Sequence, residues 1–429
     1  MSPTSVRTEA IAGITTFFTM AYIVVVNPSI LSTPGTGIAF SGALTATVLI
    51  CFTMTLLMGL YAKLPFAVAP GMGINAFFTF TIILTQGVWW QTALGIVFWA
   101  GVLFLLISIT PVRETIAKAI PSELRIGTAA GIGIFLTFIG LKNAGVIVSD
   151  PVTLVKLGQL NETTLIAIAG MVLIVFLMIR GSSLAFLAGM FFITAIALIR
   201  GLITAPPKLF SAPDFHTVFL KLDILGALKL SLLPAIVAIL FTDLFDSIST
   251  FMGVSHASGL VDEEGNPRNL RQGLIVDSVA TFGAGLAGTS SGTAYIESIA
   301  GINVGGRTGL TSVFTALCFL PCFFLAPLAG MVPLYATAPV LVLVGAAMFK
   351  SVAGINFTKI EEGLPAFLTI ILIPLTFSIT QGILWGFIAH VGLYLIVGRR
   401  KEIHPVMFVL ALIAIALLVL EHSTLWKDV

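Results

Sequence analysis

Four acidic residues, Asp243, Asp246, Asp277 and Glu297, fall in or beside stretches apolar enough to be embedded in lipid. A carboxylate at bilayer depth costs about 3 kcal/mol on insertion scales unless it faces a bundle interior, a wet cavity or a partner, so such residues mark substrate and proton pathways. Asp243 and Asp246 stand three apart in Phe241-Thr-Asp-Leu-Phe-Asp-Ser247 and therefore share one helix face. Repulsion between like charges and the cost of burying charge favour a proton on one of them near neutral pH. That is the property a proton-coupled site requires; a structural pair bonded to backbone is the competing reading. Glu297 stands alone between Ile296 and Ser298, whereas Asp277 has no ring or glycine break beside it and reads equally as structural, proton-path or ligand-contacting.

The elements that must position these groups are membrane spans. Of the residues, 58% are hydrophobic and 9% charged, with a mean hydropathy of +1.10, against the roughly 25% charged of a soluble domain. Runs long enough for the about 20 apolar residues of a crossing lie near 11–31, 39–61, 66–84, 91–110, 124–141, 163–180, 183–201, 230–254, 270–288, 291–305, 308–330, 337–350, 364–379 and 381–398, with a further apolar run at 404–420. The proline-rich connection between 201 and 230 divides the fourteen into seven and seven. With the N-terminus inside, Lys63, Arg113, Lys118, Arg125, Arg180, Arg268, Arg271, Arg307, Lys350, Lys359 and Arg399–Lys401 fall in cytoplasmic connections, against Lys142, Lys156, Arg200, Lys208 and Lys221 outside. Met1–Glu9 lacks the architecture of a cleaved signal, so the first span is expected to be retained.

Seven spans per half is an odd number, so a second copy of the fold must insert upside down, the plan of many secondary transporters with a mid-membrane site. Broken spans in matching positions support it. Pro65 to Asn75 is interrupted by Pro70, Gly71 and Gly73, and Gly288 to Glu297 is equally poor as a helix start, so both predict short extended segments leading into half-helices. Irregular backbone at that depth is tolerated only where it is buried or lines a cavity; close helix packing at glycine is the alternative.

Other patterns exclude more than they add. Gly71-x-Gly73-x-x-Ala76 imitates a dinucleotide fingerprint but lacks the βαβ frame and the acid about 20 residues on. His216, His256, His390, His404 and His422 stand apart from any nucleophile or metal spacing, so an embedded enzyme is disfavoured and no metal is expected. Cys51, Cys318 and Cys322 lie in hydrophobic runs and read as packing residues. A net charge of +2 gives no reason to expect a nucleic-acid partner. The sequons at Asn161 and Asn356 fall on opposite sides of the membrane and decide nothing.

Phe18-Thr-Met-Ala-Tyr-Ile-Val-Val-Val-Asn-Pro28, Ala69-Pro-Gly-Met-Gly-Ile-Asn-Ala-Phe-Phe78, Phe241-Thr-Asp-Leu-Phe-Asp246 and Gly292-Thr-Ala-Tyr-Ile-Glu-Ser298 resemble the AzgA-like purine permeases of the nucleobase–cation symporter 2 (nucleobase–ascorbate transporter) superfamily, over about residues 5–400. The resemblance implies an all-α membrane protein with a 7+7 inverted repeat. Its core domain would comprise spans 1–4 (1–110) and 8–11 (228–332), its gate domain spans 5–7 (111–227) and 12–14 (333–400), and 401–429 would be an extra hydrophobic segment and tail. It further implies proton-coupled purine uptake across the plasma membrane by alternating access, with the proton as coupling ion, no other cofactor, and a homodimer through the gate domain.

Carried over position by position, the eighth-span acid falls on Asp243, the tenth-span acid on Glu297 and the third-span polar residue on Asn75. The expected substrate set is Glu297, Asp243, Asn75, Gly73, Tyr295, Phe245 and Thr293, with Asp243, Asp246 and Asp277 for the proton. A purine is a flat, neutral ring edged with donors and acceptors, which needs an aromatic wall and a few hydrogen-bonding groups in a mostly dry pocket. Ionised carboxylates are pure acceptors and suit the N1–H and amino donors of guanine. The expectation therefore leans to guanine and hypoxanthine, with adenine and xanthine open. A charged sugar or nucleotide would need Arg or Lys in the core, and none is expected there. An anion exchanger or channel on the same scaffold is the alternative, disfavoured by so many carboxylates.

Overall fold

The computed structural model describes residues 5–110, 119–261 and 267–422. Arg113 and Lys118, assigned above to a cytoplasmic connection, lie outside the described residues. Spans 1 and 2 are Val6–Leu31 and Phe40–Ala62. Span 3 is the strand β1 (Val68–Pro70) followed by a helix over Met72–Thr85, and span 4 is Trp90–Ile109. Spans 5, 6 and 7 are Ser122–Asn143, Glu162–Ile179 and Ala185–Ile199, with a β2–β3 hairpin (Ile147–Asp150 and Leu154–Leu157) between 5 and 6. Spans 8 and 9 are Leu233–Ser258 and Leu270–Ala287. Span 10 joins β4 (Gly292–Ala294) to a short helix, Ser298–Asn303. Gly309–Phe324 is span 11, and Leu334–Phe349, Ile360–Thr376 and Ile379–Ile396 are spans 12 to 14. A last helix, Pro405–His422, occupies the extra apolar run and packs on spans 14 and 8.

Both expected breaks are extended, and they pair with each other. β1 and β4 run antiparallel in the register Val68↔Ala294, Ala69↔Thr293 and Pro70↔Gly292. Unpaired N–H and C=O groups cannot be left at bilayer depth, and nearby side chains complete the pairing. Thr55 Oγ1 accepts from Val68 N–H at 2.9 Å and donates to Val68 O at 3.0 Å. Ser298 Oγ accepts from Ala67 N–H at 3.0 Å, and Asp277 Oδ2 from Ala294 N–H at 3.2 Å. Thr281 Oγ1 donates to Gly292 O at 3.1 Å, and Gly71 N–H to Ser291 O at 2.9 Å. Pro70, which has no N–H to donate, stands where the strand ends and the helix begins.

Packing follows two groupings. Spans 1, 2 and 11 pack together, span 9 packs on 2 and 4, span 5 packs on 12, 13 and 14, and span 6 on 7 and 12. Small residues set the closest approaches, as expected where lipid gives helices no hydrophobic drive to associate. A Cβ on Gly101 would meet Phe282 N at 2.2 Å, and one on Gly133 would meet Gly345 O at 2.5 Å. The connection after span 7, grouped above with residues 111–227, lies against spans 2, 4 and 9 instead. Asp214 N–H donates to Thr45 Oγ1 at 2.9 Å, Asp223 N–H to Gln91 O at 2.9 Å and Leu220 N–H to Leu286 O at 2.9 Å. Buried Glu9 accepts from the backbone N–H of Arg307 (3.2 Å) and Thr308 (3.4 Å) and from Thr311 Oγ1, placing a carboxylate at the start of span 11 where the helix dipole favours it.

Candidate functional site

The crossing of β1 and β4 has two sides. Behind it lies a polar network closed off from solvent. Asp243 Oδ2 accepts from Thr281 Oγ1, Asn75 Oδ1 accepts from Ser290 Oγ, and Asn27 Nδ2 donates to Thr47 Oγ1 at 2.7 Å and Thr289 Oγ1 at 2.9 Å. Asp277 Oδ2 meets Thr293 Oγ1 at 3.5 Å besides holding Ala294, and Ser247 Oγ lies 3.3 Å from Thr293 Oγ1. Asp243, Asp277, Asn27 and Asn75 are fully buried. One atom of each, Asp243 Oδ1, Asp277 Oδ1, Asn27 Oδ1 and Asn75 Nδ2, has no protein partner among the described residues.

In front of the crossing is a cavity of about 40 Å³, lined by Gly71, Gly73 and Ile74 of span 3, Thr242, Phe245, Asp246 and Ser249 of span 8, Arg125, Thr128, Ala129 and Ile132 of span 5, and Met348 of span 12. That is room for a water molecule or so and too small for a fused aromatic ring system, so a ligand of that size requires the walls to separate. The walls belong to the two packing groups, spans 3 and 8 on one side and 5 and 12 on the other. On the opposite membrane side the same interface is sealed. Thr81 Oγ1 of span 3 donates to the carbonyl of Phe377, a residue held at φ 52° between spans 13 and 14, whose ring meets Phe135 and Phe138 edge-on at 5.3 Å each.

The expected site residues divide between these two places. Gly73, Phe245 and Asp246 line the cavity. Glu297, partly exposed at the start of the span 10 helix, accepts from Tyr22 Oη at 2.6 Å and lies within electrostatic reach of Asp246. Asp243 and Asn75, expected to hold the ligand, sit in the buried network, as do Thr293 and Asp277. The shared helix face expected for Asp243 and Asp246 is corrected: three residues still leave the two side chains about 60° apart around the helix axis, so Asp243 reaches Thr281 of span 9 while Asp246 lines the cavity. Tyr295 spends its hydroxyl on Pro70 O at 2.5 Å, tying the two strands together. Phe241 and Phe245 stack at 5.7 Å, and Phe387 of span 14 meets Phe241 edge-on at the same distance.

Three contributors were not singled out from the sequence. Tyr22, at the break of span 1 between Met20 and Ile23, reaches Glu297 across 275 positions. Asn27, one residue before Pro28 in an apolar run, was visible as a polar oddity but was assigned no role. Arg125, placed above in a connection, belongs to the first turn of span 5 and lines the cavity, so the expectation of no basic residue in the core is corrected.

Two half-spans whose strands pair antiparallel between two helix groups define the 7+7 inverted-repeat fold of membrane transporters. The transmembrane domain of the cyanobacterial bicarbonate transporter BicA has this fold, with a TM-score of 0.67 at 17% identity, covering 89% of this chain and 97% of that one. Residues 7–385 match the xanthine/uracil permease model, described as Permease family, and the chain belongs to that family. It is 42% identical to adenine permease AdeP of Escherichia coli K12, over 96% of this chain and 92% of the relative. With guanine/hypoxanthine permease PbuO of Bacillus subtilis 168 it shares 39% over 96% of each. The protein is a multi-pass membrane transporter and not an enzyme.

Proposed function

We propose that the protein imports purine nucleobases together with protons, by alternating access between a core of spans 1–4 and 8–11 and a gate of spans 5–7 and 12–14, in the plasma membrane with its N-terminus in the cytoplasm. The observation that carries this reading is the cavity between spans 3 and 8 and spans 5 and 12, where Asp246 and the aromatic Phe245 stand beside the half-helix start at Gly71–Gly73. An aromatic wall beside a carboxylate suits a flat neutral base with ring N–H donors, and relatives carrying adenine or guanine and hypoxanthine favour the same class.

In the mechanism, Asp246 and Glu297 accept from the base while Tyr22 fixes the Glu297 carboxylate. Phe245 covers the ring face, and Gly73 lets span 5 approach. Asp243 and Asp277, behind the strands, carry the coupling proton out of contact with water, with Ser247 and Thr293 in the same network. Closing span 5 and span 12 on the base, then parting the Thr81–Phe377 seal, would turn the site to the other side. Homodimerisation through the gate belongs to the same reading and is tested by the oligomeric state in detergent.

Uptake of labelled adenine, hypoxanthine and guanine in a bacterial strain lacking its own purine permeases tests the proposal. Accumulation against a gradient, abolished by a protonophore, is expected. No accumulation of any base, with bicarbonate or chloride flux in its place, would refute it in favour of an anion exchanger.

A further inference from the structure

Arg125 is the cavity residue that the transport reading leaves without a task. It stands in the first turn of span 5 beside Thr128 and Ala129, in a cavity whose opposite wall carries Asp246. Its Nε is buried without a hydrogen-bond partner, and among the described residues it forms no ion pair. A buried donor left unpaired costs stability unless something else satisfies it, and a guanidinium offers five N–H donors and no acceptor.

The two walls therefore carry groups of opposite kind: the Asp246 carboxylate on span 8 and the Arg125 guanidinium, a pure donor, on span 5. A purine can match both at once, because each purine base has at least one ring N–H donor and at least one ring nitrogen with a free lone pair. We propose that Arg125 is a substrate-contacting residue, donating from the span 5 wall to an acceptor nitrogen of the base whose N–H groups face Asp246 and Glu297. The bound base then bridges the two helix groups, and the wall that must move is the one that holds the acceptor edge. This inference rests on the transport reading above, and it adds a contact that the carboxylates alone do not supply.

The test uses the full chain in detergent and calorimetric titration with hypoxanthine and with its 3-deaza and 7-deaza analogues, each of which replaces one acceptor nitrogen by C–H. In the unmodified protein one analogue should bind about tenfold to a hundredfold more weakly than the parent base, the range for a hydrogen bond to a charged group. In Arg125→Met the parent base should weaken to the level of that analogue, while the analogue itself changes little. A merely structural role would weaken both alike. Equal binding of both analogues and parent by the unmodified protein, or an analogue penalty that survives in Arg125→Met, overturns the proposal. Should Arg125→Met not yield monodisperse protein, Arg125→Lys carries the test: a lysine point donor in place of the fork should shrink the penalty, and an unchanged penalty overturns the assignment. An unmodified protein that binds no purine at all refutes the transport reading itself, and the contact with it.

Discussion

Gly73→Ala probes the approach of span 5 to the half-helix most directly. An added Cβ would lie 2.3 Å from Ile132 Cγ2, where ordinary contact begins at 3.4 Å, so something must move by about 1 Å. Ile132 is β-branched and held to one χ1 well in a helix, so the adjustment falls on the separation of spans 3 and 5. Overpacking of this kind costs about 1–3 kcal/mol, and the better helix propensity of alanine, which acts in both conformations alike, does not offset that difference. For one added methyl group a penalty of about 1–2 kcal/mol, in the lower part of that range, falls only on conformations in which the two spans are close. A shift of that size changes their population by up to about thirtyfold. Initial-rate uptake should therefore fall about fivefold to thirtyfold, while thermal stability in detergent stays close to that of the unmodified protein because the parted conformation remains available. Ile132→Ala removes the obstructing methyl and should restore most of the uptake in the double variant. Wild-type uptake by Gly73→Ala, or no recovery in the double variant, would refute the reasoning.

Glu297→Gln keeps an acceptor for Tyr22 but turns a pure acceptor into a mixed donor and acceptor toward the base, so calorimetric affinity should drop by about 1–3 kcal/mol. Asp246→Asn should weaken binding similarly, whereas Asp243→Asn, in the buried network, should leave binding within about threefold and flatten the pH dependence of accumulation. The reverse pattern in paired binding and uptake assays would exchange the roles assigned to these two residues. Phe377→Ala deletes the ring packed on Phe135 and Phe138, so a cysteine placed at Thr81 should become reactive to a membrane-impermeant thiol reagent from the side bearing Phe377. Outside the membrane, the Lys156 ammonium and the N–H groups of Thr153 and Val152 hold the Asp150 carboxyl down to about 2. A depressed carboxyl stabilises above its unfolded value and is lost as pH falls through the folded one, so protease resistance of the β2–β3 hairpin should persist from pH 8 to pH 4.

Much of the architecture was legible because lipid punishes the exceptions. Pro70, Gly71 and Gly73 on one side and Gly288 to Gly292 on the other could only be extended segments or breaks, and each run adjoins a short strand, Val68–Pro70 and Gly292–Ala294. That they would pair with each other was not legible, since pairing depends on how two distant halves meet. The site was half legible. Residue type singled out Asp243, Asp246, Asp277 and Glu297, but a single helical turn decides which carboxylate faces the cavity, and spacing alone cannot set the rotation of a span whose surroundings are apolar on nearly every side. Arg125 escaped for a different reason: a cation at the end of an apolar run reads as an anchor by the charge rule, and only its place in the cavity wall, in the first turn of span 5, gives it another task. Tyr22 carried no charge and sat in an apolar segment, so its hydroxyl was easily passed over.

The β1–β4 pair also sets an order of events during synthesis. Val68 to Pro70 leave the ribosome more than two hundred residues before Gly292 to Ala294. Until then the first half of the chain carries a stretch of backbone whose donors and acceptors have no strand to meet, in a solvent that offers them nothing. The first seven spans cannot reach their final arrangement alone, and the newborn half must keep this seam wet, or shielded by another protein, until its counterpart is threaded. Expressed as two separate polypeptides divided near residue 210, the halves are expected to be degraded singly and to yield transport only when made together.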